Sequence, residues 1–217
     1  MKDANELLDK VNIVDFCPEP EPAQHQVSNF VLSLENLKSR FDGALRSFSE
    51  FINHVPSLEW QINEILPARS LCVLYGASAV GKTFVALDIA LSIATGRQWL
   101  GRDTRQGVVL YIAAEGEQSV LARIGAWYHW HQLKPDIHVL LTNPLLMEQL
   151  HQQALIDVLK ERDVHPALIV IDTFSRCMTG DENNARDMAK FIAGCDQLQK
   201  VTGATILLCF YVLRRLQ

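Results

Sequence analysis

Cysteine is sparse in this 217-residue chain and never forms a closely spaced pair. The five cysteines stand far apart, and no Cys-x-x-Cys motif is present: Cys17, Cys72, Cys177, Cys195 and Cys209. An odd number of scattered cysteines in a chain of this size argues against a disulfide scaffold and predicts reduced thiols. We therefore expect a cytoplasmic protein without a metal site among its cysteines.

Long apolar runs and an excess of basic charge are also missing. No apolar stretch reaches the roughly 18 residues that cross a bilayer, so no membrane partner is expected. The 25 acidic residues outnumber the 20 lysines and arginines, and the net charge is −5. A protein that wraps nucleic acid usually carries an overall basic charge, so the charge balance alone names no partner.

The first quarter of the chain has its own pattern. Residues 17–24, CPEPEPAQ, contain three prolines and predict an extended linker after a short first helix. Ser28 or Asn29 is then the predicted cap of a longer helix. Its apolar residues recur in steps of three and four and form one stripe: Phe30, Leu34, Leu37, Phe41, Ala44, Phe48, Phe51 and Val55. This stripe packs either on the chain's own domain or against another subunit or partner.

From residue 69 onward, short apolar segments alternate with helical ones. The predicted strands cover residues 71–75, 108–112, 137–141, 167–171 and 204–210, and the predicted helices cover 82–95, 117–131, 148–161 and 185–201. Nearly all-apolar strands separated by helices predict an α/β fold, with a mostly parallel sheet that is covered by helices on both faces. We expect a helical extension over residues 1–57 and this core over residues 58–217.

A glycine-rich segment follows the first core strand directly. Residues 76–83, GASAVGKT, match Gly-x-x-x-x-Gly-Lys-Thr and open the next helix, which is the context of a Walker A phosphate loop. The glycines let backbone N–H groups point at phosphates, Lys82 reaches the β and γ phosphates, and the Thr83 hydroxyl ligates Mg²⁺. The predicted ATP-binding residues are Gly76, Ala77, Ser78, Ala79, Val80, Gly81, Lys82 and Thr83.

Two acidic residues stand where later core strands end. Asp172 closes the apolar segment ALIVI, a position typical of the Walker B carboxylate that holds Mg²⁺. Glu115 follows VVLYIAA, and a carboxylate there can orient and deprotonate an attacking water. The alternatives are a loop-starting Asp172 and an exposed loop Glu115, and Glu117 is a weaker candidate for the same base.

Three segments together resemble the RecA-like ATPases of the plasmid-encoded hexameric helicase RepA and its relatives in phages and mobile elements. They are LPARSLCVLYGASAVGKTFVALDIALSIATGRQWLG, GVVLYIAAEGE and LIVIDTFSRCMTGDENNARDM. The resemblance implies a RecA core in which the Asp172 strand lies between the phosphate-loop strand and the Glu115 strand. It implies that Glu115 is the catalytic base, that Lys82 serves binding and catalysis, and that Asp172 and Thr83 hold the metal. It also implies a homo-oligomeric ring with single-stranded DNA in its channel.

The end of the chain departs from that family pattern. After GATILLC the family usually continues with two histidines and then Gly-Lys, whereas this chain has FYVLRRLQ, with Phe210 and Tyr211 in the histidine positions. We expect the later strands and the arginine finger to be missing and the strand over 204–210 to form an exposed sheet edge. The predicted function is an ATPase of the replicative helicase kind. The alternatives are an ATP-binding module that hydrolyses poorly and, less compatible with Glu115, a small-molecule kinase.

Overall fold

A computed structural model describes residues 24–52 and 57–211, with side chains described over 34–52 and 57–210. The chain divides into two compact units, Met1–Pro56 and Ser57–Gln217. Among the described residues, no helix is both long and apolar enough to span a bilayer.

The first unit contains two helices, α1 (Gln24–Ala44) and α2 (Phe48–Ile52). The prediction of one continuous helix is wrong, because Ser47 and Glu50 form a capping box that starts a new helix. The Ser47 N–H and hydroxyl each donate to Glu50 Oε2 at 2.7 Å, and the Glu50 N–H donates to Ser47 Oγ at 3.4 Å. The predicted caps at Ser28 and Asn29 are also wrong, since both residues lie inside α1.

The apolar stripe of this unit is exposed over residues 34–52, where its side chains are described. Phe41 and Phe48 are 68% and 69% exposed, and Leu34, Leu37 and Phe51 are exposed as well. The linker predicted over 17–24 and the short helix before it lie outside the described residues, except Gln24, which begins α1.

The second unit is built on a five-stranded parallel sheet flanked by helices. Its strands are β3 (Leu71–Gly76), β4 (Val109–Ala113), β5 (Ile137–Leu140), β6 (Leu168–Asp172) and β7 (Thr205–Tyr211). Its helices are α3 (Lys82–Thr95), α4 (Glu117–His131), α5 (Gln149–Glu161) and α6 (Ala185–Thr202). The predicted α/β fold is confirmed, and every predicted core element agrees with the structure to within one residue at each end.

A small antiparallel hairpin precedes the sheet and was not predicted. It pairs β1 (Trp60–Ile62) with β2 (Leu66–Pro67). Elements of three and two residues are too short to show a hydrophobic period, so sequence pattern cannot reveal them.

Two apolar cores cover the sheet, one on each face. The five residues of β4 and the five of β6 are all buried, so consecutive side chains point into opposite cores. One core contains α3 and residues of α4, and the other contains residues of α5 and α6. Asp88 also connects α3 to α4, because its Oδ1 accepts from Trp127 Nε1 at 3.3 Å.

The strand order is β3-β7-β6-β4-β5. The strand that ends at Asp172 therefore lies between the phosphate-loop strand and the Glu115 strand, as the family resemblance implied. The predicted exposed edge over 204–210 is wrong, because β7 pairs with β3 on one side and β6 on the other. The edge strands of this sheet are β3 and β5. All five strands run in the same direction, so the segments that follow them all leave the sheet on the side where the carboxyl ends of the strands lie. We call this side the carboxyl edge of the sheet.

Candidate nucleotide site

The phosphate loop, residues 76–83, connects β3 to α3. Two of its residues adopt left-handed backbone conformations, Ala79 with φ 62° and Gly81 with φ 91°. A glycine suits the second position because the left-handed backbone conformation there is strained for residues that carry a Cβ, although the space around Gly81 is open. The helix starts with bonds from the Phe84 and Val85 N–H groups to the Gly81 carbonyl at 3.0 and 3.1 Å, and no side chain caps it. The first N–H groups and the positive end of the helix dipole are thus available to an anion.

The side chain of Lys82 is held against this loop by two hydrogen bonds to backbone carbonyls. Its Nζ donates to the Gly76 carbonyl at 2.9 Å and to the Ala77 carbonyl at 2.6 Å, and the residue is buried. Thr83 follows in the first turn of α3 and is partly buried. The ammonium is therefore positioned against the loop that the motif predicts to bind phosphate.

Asp172 is the last residue of β6, and only one of its two carboxylate oxygens accepts a hydrogen bond from an N–H or O–H group in the described part of the chain. The residue is 3% exposed, and its Oδ2 accepts a hydrogen bond of 2.7 Å from the Tyr111 hydroxyl. Its Oδ1 is buried and has no N–H or O–H donor among the described residues. An ionised buried oxygen without a donor costs free energy, whereas a cation would satisfy it.

These residues fit the predicted Mg²⁺ site. Mg²⁺ prefers oxygen ligands and keeps several waters, and it is usually held by one or two carboxylates together with substrate phosphates. The Asp172 carboxylate and the Thr83 hydroxyl would supply such oxygen ligands. The described residues contain no cluster of three His, Cys, Asp or Glu side chains that would hold a metal without nucleotide.

Tyr111 is a partner of Asp172 that the sequence did not reveal. It lies in β4, fully buried, and burial first and the Asp172 carboxylate second raise the pKa of its hydroxyl. The phenol therefore stays protonated and donates to Asp172 at any physiological pH. A similar effect is seen at Cys209, whose thiol pKa is raised by burial and by Asp172. One signal in the sequence was a tyrosine inside an otherwise aliphatic strand.

We expect Tyr111→Phe to weaken Mg²⁺ binding, so that the Mg²⁺ concentration for half-maximal ATP hydrolysis rises about 10- to 100-fold, the usual cost of losing a group that orients a metal ligand. The phenylalanine keeps the packing but leaves Asp172 Oδ2 without its donor. The measurement is a Mg²⁺ titration of ATP hydrolysis. Tyr128→Phe, which removes an exposed hydroxyl from α4, is the matched control, and equal titrations of the two variants would contradict the role of Tyr111.

Glu115 lies just beyond β4, at the same sheet edge as Asp172. Register pairs Ala113 with Asp172, and the Ala114 N–H donates to the Asp172 carbonyl at 2.8 Å. Glu115 Oε1 accepts a 2.6 Å hydrogen bond from Arg176 Nε, which raises the pKa of Arg176. The structure thus brings Asp172, Glu115 and the phosphate loop to one edge. Arg176 was not predicted at this position.

The parallel sheet and the phosphate loop between β3 and α3 together define a P-loop domain of the ATPase type. The chain belongs to the AAA domain family, whose model matches residues 33–210. None of the curated proteins matches the chain. Among solved structures it resembles a KaiC-like protein of the hyperthermophilic archaeon Pyrococcus horikoshii. That likeness has a TM-score of 0.47 and 15% identity and covers 72% of this chain and 68% of the other.

Proposed function

We propose that this chain binds ATP together with Mg²⁺ and hydrolyses it to ADP and phosphate. The observation that carries the proposal is the buried Asp172 Oδ1, which has no N–H or O–H donor in the described chain and lies at the same end of the sheet as the phosphate loop. A bound Mg²⁺ would neutralise charge that develops on the phosphate oxygens.

The residues of the chain divide the remaining work. Loop N–H groups and Lys82 bind the phosphates and fix the transferring group, while Thr83 and Asp172 hold the metal. Glu115 is the general base. Its Oε1 is engaged by Arg176, and its Oε2 accepts no hydrogen bond from the described residues, so that oxygen is available to a water. The oxygen of the water attacks the γ phosphorus, and the bond from that phosphorus to the ADP oxygen breaks. During this step the water gives a proton to Glu115.

The finer proposal is that the ATPase is of the replicative DNA helicase kind and works in the cytoplasm as a homo-oligomer on single-stranded DNA. Its support is the resemblance of the three motif segments to RepA-type helicases. The local charges predict weak DNA binding. Arg102 and Arg105 form ion pairs with Glu64 and Glu59 at 2.5 and 2.6 Å, and Arg176 is paired with Glu115. Fewer unpaired cations mean fewer phosphate contacts.

We expect single-stranded DNA to stimulate ATP hydrolysis by the full chain, with the stimulation falling steeply as salt is raised. The measurement is single-turnover and steady-state hydrolysis with Mg²⁺, with and without a homopolymeric DNA strand, alongside binding of a fluorescent ATP analogue. Hydrolysis that DNA does not change would support the proposed ATPase activity and contradict the proposal of a helicase. Tight nucleotide binding with no turnover would instead support the ATP-binding module.

A further inference from the structure

Arg176 stands on a rigid element next to the predicted metal ligand. It belongs to a short 3₁₀ helix, Phe174–Cys177, which begins two residues after Asp172. Phe174 is buried, stacks on Phe210 with ring centroids 4.8 Å apart, and packs edge-on against Phe191 at 5.4 Å.

The other end of the 3₁₀ helix is equally fixed. Cys177 is buried, its carbonyl accepts a 2.9 Å hydrogen bond from the Leu146 N–H, and burial raises the pKa of its thiol to about 12. The thiol is thus neutral packing material. With both ends anchored, the backbone at Arg176 has little freedom to move.

Glu115 lies in a less constrained position. It occupies the short loop between β4 and α4, its side chain is 44% exposed, and Gly116 after it adopts a left-handed conformation with φ 65°. Arg176 Nε is the one described group that forms a hydrogen bond with its carboxylate. Without Arg176, nothing in the described residues orients this carboxylate.

We infer that Arg176 is a positioning residue of the reaction, which holds the Glu115 carboxylate so that its second oxygen faces the attacking water. The inference rests on the proposed function, in which Glu115 is the base. A base is effective only when it is held within hydrogen-bonding reach of the proton it takes, and a third group commonly orients it. The planar, permanently charged guanidinium of an arginine suits this task better than the ammonium of a lysine, because its N–H groups have a fixed geometry that matches a carboxylate.

The competing explanation is an ordinary surface ion pair. Arg176 is 62% exposed and Glu115 44%, and ion pairs between exposed side chains contribute little to stability. Their placement argues for more than that. The two residues are 61 positions apart in sequence and are brought together because β4 and β6 are neighbours in register, and both loops leave the sheet at the end where the phosphate loop also leaves it.

We expect Arg176→Gln to lower kcat for ATP about 10- to 100-fold, as misplacement of a catalytic group by about an ångström does, with KM unchanged. The test measures steady-state kcat and KM of the full chain with Mg²⁺-ATP, and the midpoint of thermal unfolding. Arg162→Gln is the matched control, because it removes an exposed arginine just after α5, at the opposite end of β6. A merely structural role would shift the unfolding midpoint and leave kcat of the folded protein intact.

A double-mutant cycle decides whether Arg176 acts through Glu115. In single-turnover measurements, Arg176→Gln should cost nothing further once Glu115→Gln is present. An equal loss in both backgrounds would mean that Arg176 contacts the phosphates itself and would overturn the inference. Wild-type kcat in Arg176→Gln, with Glu115→Gln inactive, would overturn it while leaving the proposed function in place. Wild-type kcat in Glu115→Gln would instead remove the base from the proposed function.

Discussion

Replacing Lys82 with methionine is expected to weaken ATP binding about 10- to 100-fold, since a hydrogen bond to a charged group contributes about 1.5–3 kcal/mol. Hydrolysis should fall further, by about 10²- to 10³-fold, because the ammonium also stabilises charge that develops on the transferring phosphate. Methionine keeps the buried aliphatic stem of Lys82 and removes only the charged donor. The measurements are titration with a fluorescent ATP analogue and single-turnover hydrolysis.

The controls for Lys82→Met address the backbone of the loop. Lys82 Nζ donates to the carbonyls of Gly76 and Ala77, so the variant also removes two loop hydrogen bonds. Thermal unfolding of the variant shows whether the fold survives this loss. Lys134→Met removes an exposed lysine that lies between α4 and β5, and it should behave as wild type. Wild-type ATP affinity in a folded Lys82→Met protein would mean that nucleotide binds elsewhere.

Glu115→Gln is expected to lower the rate of ATP hydrolysis about 10²- to 10⁴-fold, the range that a general base contributes, and to leave ATP affinity unchanged. The amide has the same shape as the carboxylate, and its oxygen can still accept the hydrogen bond from Arg176 Nε. What it lacks is the ability to take a proton from water. Single-turnover hydrolysis and nucleotide binding on the same sample measure the two effects separately.

Glu117→Gln provides the comparison that identifies the base. Glu117 lies two residues further along, in the first turn of α4, and is the other carboxylate that the sequence offers. If Glu117→Gln abolished turnover while Glu115→Gln kept its activity, Glu117 would be the general base in place of Glu115. Glu161→Gln at the end of α5 controls for the loss of one negative charge.

The predictions about the N-terminal stripe show where periodicity stops being informative. Steps of three and four continue from Phe30 to Val55, and they predicted one helix. The structure ends α1 at Ala44 and begins α2 at Phe48, because the Ser47–Glu50 capping box fixes a non-helical residue between them. The hydrophobic period is the same before and after such a break, so the pattern cannot show it.

The sequence by itself determined the core elements and the phosphate loop. Strands and helices of the core are set by local hydrophobic runs and periods, and the loop is a contiguous motif between a strand and a helix. The sequence also indicates that Asp172 and Glu115 lie at the carboxyl ends of parallel strands, because Asp172 closes the apolar segment ALIVI and Glu115 follows VVLYIAA.

Only the tertiary structure decided which side chains meet there. Two pairs of side chains meet there, Tyr111 with Asp172 and Arg176 with Glu115. The members of each pair are 61 residues apart, so no local sequence pattern predicts that they are in contact. They meet because β4 and β6 are adjacent, while β7, the last strand along the chain, lies in the interior of the sheet between β3 and β6. Strand order depends on how the helices and strands pack as a whole, so it is not encoded in any one segment, and the partners that orient the predicted site follow from it.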